Sequence, residues 1–421
     1  MQASGRKGAG PPPAAAESSA ASGFRPTPGT SLEQVLGGEW RHEAGAACFV
    51  VESRRERPAP YARETVGAFA DRLAASASGA SLLAGCPLRA PFLFFDLETT
   101  GLGGGAGTYA FLIGCGWFDD GAFVTRQFVV VRFVDERAVL GAVTRELSRA
   151  GALVSFNGRS FDAPLLETRF LYHRLPWAAD GLPHLDMLHV ARRFWKRDQA
   201  PTGGTGCSLA ALERQLLGHC RRDDVPGLEI PGRYFQFVRT GDARPLAAVL
   251  EHNRRDLLSL AALTARALHL VGSGPAALCD SREALALGWV YARAGLLDPA
   301  REAYRRAADT ASAAAVRVEA LRALAVSARR ARSHDEAARY WRLVLEVRGC
   351  PPTAVREASE ALAIHHEHRV HDLVAAKSFA RQSLVHGSSA RSSRAVEYRL
   401  ERIERKLELS NLSEQRPSFL S

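Results

Sequence analysis

Four acidic residues and one histidine carry the chemistry that this chain's spacing suggests. Asp96 and Glu98 lie in Pro91-Phe-Leu-Phe-Phe-Asp-Leu-Glu-Thr-Thr-Gly101. Phe92 to Phe95 form the short apolar run of a buried central strand, and the strand period of two puts both carboxylates on one face. Like charges at the end of a buried strand repel and lose solvation. A divalent cation relieves both costs, and two nearby carboxylates are what two-metal phosphodiester hydrolysis requires. Taken alone, the pair also suits strand-end residues facing water. Asp162, in Asn157-Gly-Arg-Ser-Phe-Asp162, comes after a short apolar stretch at a helix start, where capping and catalysis explain an aspartate equally well. In His252-Asn-Arg-Arg-Asp256 the i, i+4 spacing aligns His252 and Asp256 on one helix face. An exposed polar stripe has the same spacing. Here Leu257, Leu258, Leu260 and Leu263 come at once after it, so the helix is largely buried and its polar face should look into a site.

The elements that must position these groups can be read from apolar periodicity. Residues 92–95, 109–118 and 123–131 read as three successive strands, the last two joined at Asp119-Asp120-Gly121. A helix is predicted over 135–149, a strand over 153–156 and a helix over 161–172, with Pro164 tolerated in its first turn. Further helices are expected at 185–195, 208–217 and 246–270, with loops at 198–206 and 221–232. Before this block, residues 1–30 are rich in Ala, Pro, Gly and Ser and read as a disordered tail. Residues 31–88 read as a small leading element: a helix near Leu32–Leu36, a strand at 47–52, a charged linker at 54–58 and a helix at 66–75.

Composition narrows the class. The net charge is +10, and only four of the 55 basic residues are lysine. That balance suits an anionic partner but does not establish one. No apolar run reaches the roughly 18–20 residues of a membrane span, and no secretory h-region is visible. The seven cysteines show no C-x-x-C pairing and fit free buried thiols better than zinc ligands, so a reduced cytoplasm is expected. Gly101-x-Gly103-x-x-Ala106 fits a loose dinucleotide-binding pattern. That fingerprint must open a helix, whereas residues 109–118 after it are strand-like.

Asp96-x-Glu98, Asn157-x-x-x-x-Asp162 and His252-x-x-x-Asp256, in that order, resemble the three exonuclease motifs of the DEDD superfamily. The wording around them is similar to the bacterial YprB-type ribonuclease-H-like family, over roughly residues 90–270. The resemblance implies a mixed sheet flanked by helices. It departs at one point: superfamily branches differ in the residue and spacing before the last aspartate, and this chain has His with the shorter spacing. On this reading Asp96 bridges two Mg²⁺ or Mn²⁺ ions. Glu98 and Asp256 complete one site and Asp162 the other. One ion makes a water acidic enough to attack phosphorus while the other stabilises the leaving 3′-oxygen. His252, of a residue type that titrates near pH 6.5, takes the water's proton. Asn157 orients substrate or a metal water, although Asn-Gly is also a favoured turn pair. Asp186 suits a helix cap at least as well as a site.

From Ser281 the chain becomes Ala/Arg-rich. Ala300…Tyr304, Ala337…Trp341 and Ala375…Phe379 repeat at offsets of 37 and 38 residues, somewhat longer than the tetratricopeptide period. The first unit resembles that repeat best. Three helix pairs and a closing helix at 394–407 would make a short α-solenoid; an irregular bundle is the alternative. From Asp280 onward 24 basic and 18 acidic residues leave both protein and nucleic acid as partners.

The expected architecture is an α/β ribonuclease-H-like domain (89–271), a linker (272–280), an all-α tetratricopeptide-like domain (281–408) and a tail (409–421). The expected function is a metal-dependent nuclease, a 3′–5′ exonuclease acting on a single-stranded 3′ end of DNA or RNA, with a protein partner on the repeats. The alternative is a non-catalytic nucleic-acid-binding module.

Overall fold

The computed structural model describes residues 31–43, 46–101, 107–196, 206–385 and 390–414. The expected disordered tail and the glycine pattern at 102–106 lie outside them. The chain opens with α1 (Leu32–Leu36), β1 (Glu39–Glu43), β2 (Ala46–Arg55), a small hairpin of β3 (Pro60–Tyr61) and β4 (Glu64–Thr65), α2 (Val66–Ser76) and α3 (Ala80–Ala84). Next come β5 (Phe92–Thr99), β6 (Ala110–Asp119), β7 (Ala122–Val129), α4 (Glu136–Arg149), β8 (Ala152–Ser155), α5 (Asp162–Tyr172), β9 (His184–Asp186) and α6 (Met187–Phe194). The short α7 (Leu209–Leu212) continues as a π-turn at Glu213–Leu217, and α8 (Ile230–Thr240) and the 30-residue α9 (Arg244–Ser273) complete this part.

Seven strands form one mixed sheet in the order β1-β2-β7-β6-β5-β8-β9. β5 is antiparallel to β6 and parallel to β8, and β9 runs parallel to β8. The expected meander and the strand-helix alternation after it are therefore present. The leading segment is not a separate element, because β2 pairs with β7 over Phe49–Arg55. Arg54 and Arg55, expected in a linker, extend that strand, and their exposed side chains cost the sheet nothing there.

Alternation along β5 sets the whole layout. Leu93, Phe95 and Leu97 enter the core shared with α4 and α5, whereas Phe92 and Phe94 enter the core shared with α2 and α9. By the same parity Asp96 and Glu98 face α9. Phe94 is fully buried, and truncation of such a ring to alanine costs about 3–5 kcal/mol. On the opposite face α5 is clamped to α4 by Arg169, whose Nε and Nη2 donate to the Glu136 carboxylate at 2.7 and 2.5 Å.

Three differences from the sequence reading have simple causes. Residues 184–186 are a strand rather than the start of a helix, because Leu185 pairs beside Val154 at the sheet edge. Residues 208–217 are one α-turn followed by a π-turn. The expected loop at 221–232 ends inside α8, which buries Tyr234 and Phe237 beneath β6 and β7; its Gly-Pro-rich start hides the periodicity.

The C-terminal region is all helix. Three successive pairs are α10 (Ser281–Arg293) with α11 (Leu297–Thr310), α12 (Ala314–Arg330) with α13 (His334–Glu346), and α14 (Pro352–His365) with α15 (Leu373–Val385). A closing α16 covers Ala390–Glu414, longer at both ends than expected. Each helix packs on the next in chain order.

Residues 272–280 do not separate two bodies. One apolar core runs from Leu257–Val271 of α9 through buried Leu278 into Ala284, Leu287 and Tyr291 of α10. Tyr291 donates its hydroxyl to the Val271 carbonyl at 2.9 Å. Glu283 accepts from Trp195 Nε1 and Arg266 Nη2, both at 2.9 Å, and Arg293 donates to the Leu83 carbonyl at 3.0 Å. A boundary at residue 271 cuts through this core.

Candidate active site

Three elements bring the predicted acids together. β5 carries Asp96 and Glu98, the start of α5 carries Asp162, and α9 carries Asp256. Burial pushes the Asp96 carboxyl well above its ordinary range, and the charges of Asp256, Glu98 and Asp162 push it further. Burial likewise raises Glu98, with Asp256 and Asp162 adding to the effect. Asp162 rises to about 7 through burial and then the neighbouring Asp186. Burial also raises Asp256, although Arg221 and His252 oppose it. The four carboxylates therefore form one electrostatic unit.

Local sequence explains each placement. Asp96 lies opposite Gly114 of β6, which lies opposite Gln127 of β7. A Cβ on Gly114 would fall 2.8 Å from Asn253 Cγ, so the glycine leaves the space that Asn253 occupies. Asn253 Nδ2 donates to Asp96 Oδ2 at 2.8 Å, and its Oδ1 accepts from Gln127 Nε2 at 2.9 Å. Asp162 depends on the turn before it. Asn157 adopts a left-handed φ of 68°, and a Cβ on Gly158 would lie 2.8 Å from Asp162 Oδ2. Asp186 fixes that turn, accepting from the backbone N–H of Asn157 at 2.8 Å and of Arg159 at 3.3 Å. It also accepts from Leu188 N–H at 2.9 Å, capping α6. Asp186 thus caps a helix and braces the Asp162 turn at once.

On α9, His252 Nδ1 lies 2.8 Å from Asp224 Oδ1, and its Nε2 lies 3.5 Å from Asp256 Oδ2. Arg221 bridges Glu213, Asp224 and Asp256. Burial works against its charge, and these carboxylates outweigh burial. Asp224 is held below its ordinary value, since hydrogen bonds from Arg221 and His252 outweigh its burial.

Arg221, Asp224, Asn253, Gln127 and Gly114 escape the sequence reading. Asn253 leaves a usable signal: it falls between Val249 and Leu257 at i±4, a core-facing position for a polar side chain. Arg221 and Asp224 sit in a charged, Gly/Pro-bearing stretch, where nothing local announces a tertiary partner.

As the side chains stand, no three His, Cys, Asp or Glu groups among the described residues converge as ligands of a single ion. The donor set itself fits a hard divalent cation: four oxygen-bearing acids each raised by burial, with the charges of Asp256 and Asp162 adding to it at Asp96 and Glu98.

The mixed sheet with helices on both faces is a ribonuclease-H-like domain, followed by an all-helical region. Residues 93–268 match the family model of the RNase H superfamily. The chain is 37% identical over 172 residues to the uncharacterized protein YprB of Bacillus subtilis strain 168. That alignment covers 40% of this chain and 40% of YprB, so the chain spans under half the length of this curated relative. Among the described residues no helix is long and apolar enough to cross a membrane.

Proposed function

We propose that this protein is a metal-dependent nuclease of the DEDD type, a 3′–5′ exonuclease using two Mg²⁺ or Mn²⁺ ions. The observation that carries the reading is the under-compensated carboxylate set on β5, α5 and α9. Asp96, Glu98, Asp162 and Asp256 would hold the ions, which would supply an acidic water and neutralise charge at the leaving oxygen. Asn253 holds Asp96 in place through a neutral amide and adds no competing charge. Asp224 orients the His252 ring by its Nδ1, leaving Nε2 on the Asp256 side to take a proton. Asn157 lies at the turn beside Asp162, where its side chain would contact substrate. The C-terminal helices resemble tetratricopeptide repeats and would bind a protein partner.

One observation favours a non-catalytic reading: Arg221 already pairs with Asp256, where a cation is required. The test is incubation of the full chain and Asp96→Ala with 3′- and 5′-labelled DNA and RNA strands in Mn²⁺, Mg²⁺ or chelator. Metal-dependent shortening from the 3′ end by wild type alone is expected. Binding with no hydrolysis in any metal would select the non-catalytic reading.

A further inference from the structure

The end of the sheet where β5 presents the carboxylates also carries exposed aromatic surface. β5 ends there, β6 begins there and β7 ends there, because the three strands alternate in direction. Tyr109, one residue before β6, is tied to the end of β5: it donates its N–H to Thr100 Oγ1 at 3.0 Å, and its carbonyl accepts from Thr100 N–H at 2.9 Å. Thr100 is two residues beyond Glu98. The Tyr109 ring lies 4.6 Å, centroid to centroid, from Phe133, which comes after β7 and is 40% exposed. The Arg169 guanidinium lies 4.3 Å from the Tyr109 ring centroid and 4.6 Å from that of Tyr172, which is 67% exposed. Val134 and Leu171, the chain neighbours of Phe133 and Tyr172, are exposed as well.

These side chains lie among the exceptions on a domain that otherwise buries its large apolar groups, and nothing in packing requires Phe133 or Tyr172 to face water. The exposed charged residues within four positions of Phe133 or Tyr172 are arginines. Arg132, Arg137 and Arg174 flank Phe133 and Tyr172, whereas the acids of that stretch, Asp135 and Glu136, are buried and paired with Arg132 and Arg169. Aromatic faces interleaved with cations suit unpaired bases joined by phosphates, since base stacking on a ring is sequence-tolerant and the backbone supplies the counter-charge.

We propose that Phe133 and Tyr172 form a stacking platform for the bases of a single-stranded nucleic acid whose phosphates pass Arg137 and Arg174 on the way to the carboxylates. The assignment rests on the nuclease reading for the direction of the strand, but the binding it describes is independent of turnover.

The experiment uses the full chain in chelator, so that nothing is hydrolysed, with fluorescein-labelled 12-nucleotide DNA and RNA strands read by anisotropy. Phe133→Leu/Tyr172→Leu keeps the apolar character and removes both ring faces. It is expected to weaken single-strand binding at least about tenfold. The same strand with abasic sites at its 3′-terminal positions is expected to bind wild type and variant alike. Equal binding of the intact strand by wild type and a folded variant overturns the platform and leaves the patch to a protein partner. That result would not touch the nuclease reading, which is tested separately by metal-dependent shortening. Conversely, weakened binding in a protein that never hydrolyses would retain the platform and remove the nuclease.

Discussion

Buried carboxylates occur at both ends of this molecule, and they are treated in opposite ways. Glu367, between α14 and α15, accepts from Arg399 at 3.0 Å, Arg402 at 2.7 Å and Lys406 at 3.0 Å. Burial would raise it, but hydrogen bonds from Arg402 and Lys406 dominate and hold it at about 2. Three cations on α16 satisfy one acid, and the result is a structural clasp. At the C-terminal end of β5 the one cation, Arg221, pairs with Asp256 and also serves Glu213 and Asp224 among the described residues, and all four acids are pushed upward. A chain able to compensate Glu367 so fully has left the second group short of positive charge. An uncompensated acidic cluster is costly to keep, which makes it a candidate for a bound cation.

The comparison can be broken first at Asp96. Asp96→Ala is expected to reduce hydrolysis to background while the melting temperature holds; undiminished turnover by a pure, folded variant would end the metal-centre reading. His252→Ala should slow hydrolysis by roughly 10²–10⁴-fold, the usual range for a positioned base. Metal affinity, followed by calorimetry, should fall far less. A wild-type rate and pH profile would transfer the proton to another group.

A third test addresses the join between the two regions. A fragment of residues 31–271 exposes Leu268 and Val271 and loses the Tyr291 and Arg293 contacts. It is expected to be insoluble, or to melt well below the full chain and lose more than about tenfold in turnover on a short strand. A soluble fragment with full activity would show that the shared core is dispensable.

The smallest effects are the most discriminating. Asp162 is raised to about 7, so its contribution favours folding below about pH 4 and is lost as pH rises through about 7. In chelator, Asp162→Asn should therefore raise the melting temperature at pH 8 and change it little at pH 4. Glu367 is lowered to about 2, so its contribution is present above about pH 4.5 and is lost as pH falls through about 2. Glu367→Gln should lower the melting temperature at pH 7, and the deficit should shrink in acid. Scanning calorimetry reads both, and shifts of the same sign at neutral pH would erase the distinction between the regions.

The order of elements around Asp96, Asp162 and Asp256 was legible because each motif adjoins a strong apolar pattern: Phe92–Phe95, Ala152–Ser155 and Leu257–Leu263. The side chains that complete the site were not legible, for a physical reason. Gln127, Asn253 and Arg221 matter through partners 126, 157 and 35 residues away, and no local period encodes a partner. The linker expected at Gly272-Ser-Gly-Pro275 shows the same limit: the apolar core runs on past it from α9 to α10. Flexible residue types promised a hinge, while the apolar face of α10 had already been matched to α9.

The length of α9 has a mechanical consequence. Its 30 residues make a rod about 45 Å long at 1.5 Å per residue. His252, Asn253 and Asp256 sit on one half, and Leu268 and Val271 hold α10 with the other. From Asp256 to Val271 is about 22 Å along the axis. The first of the C-terminal helices is thereby seated at a set reach from the carboxylates, along one continuous rod rather than on a string.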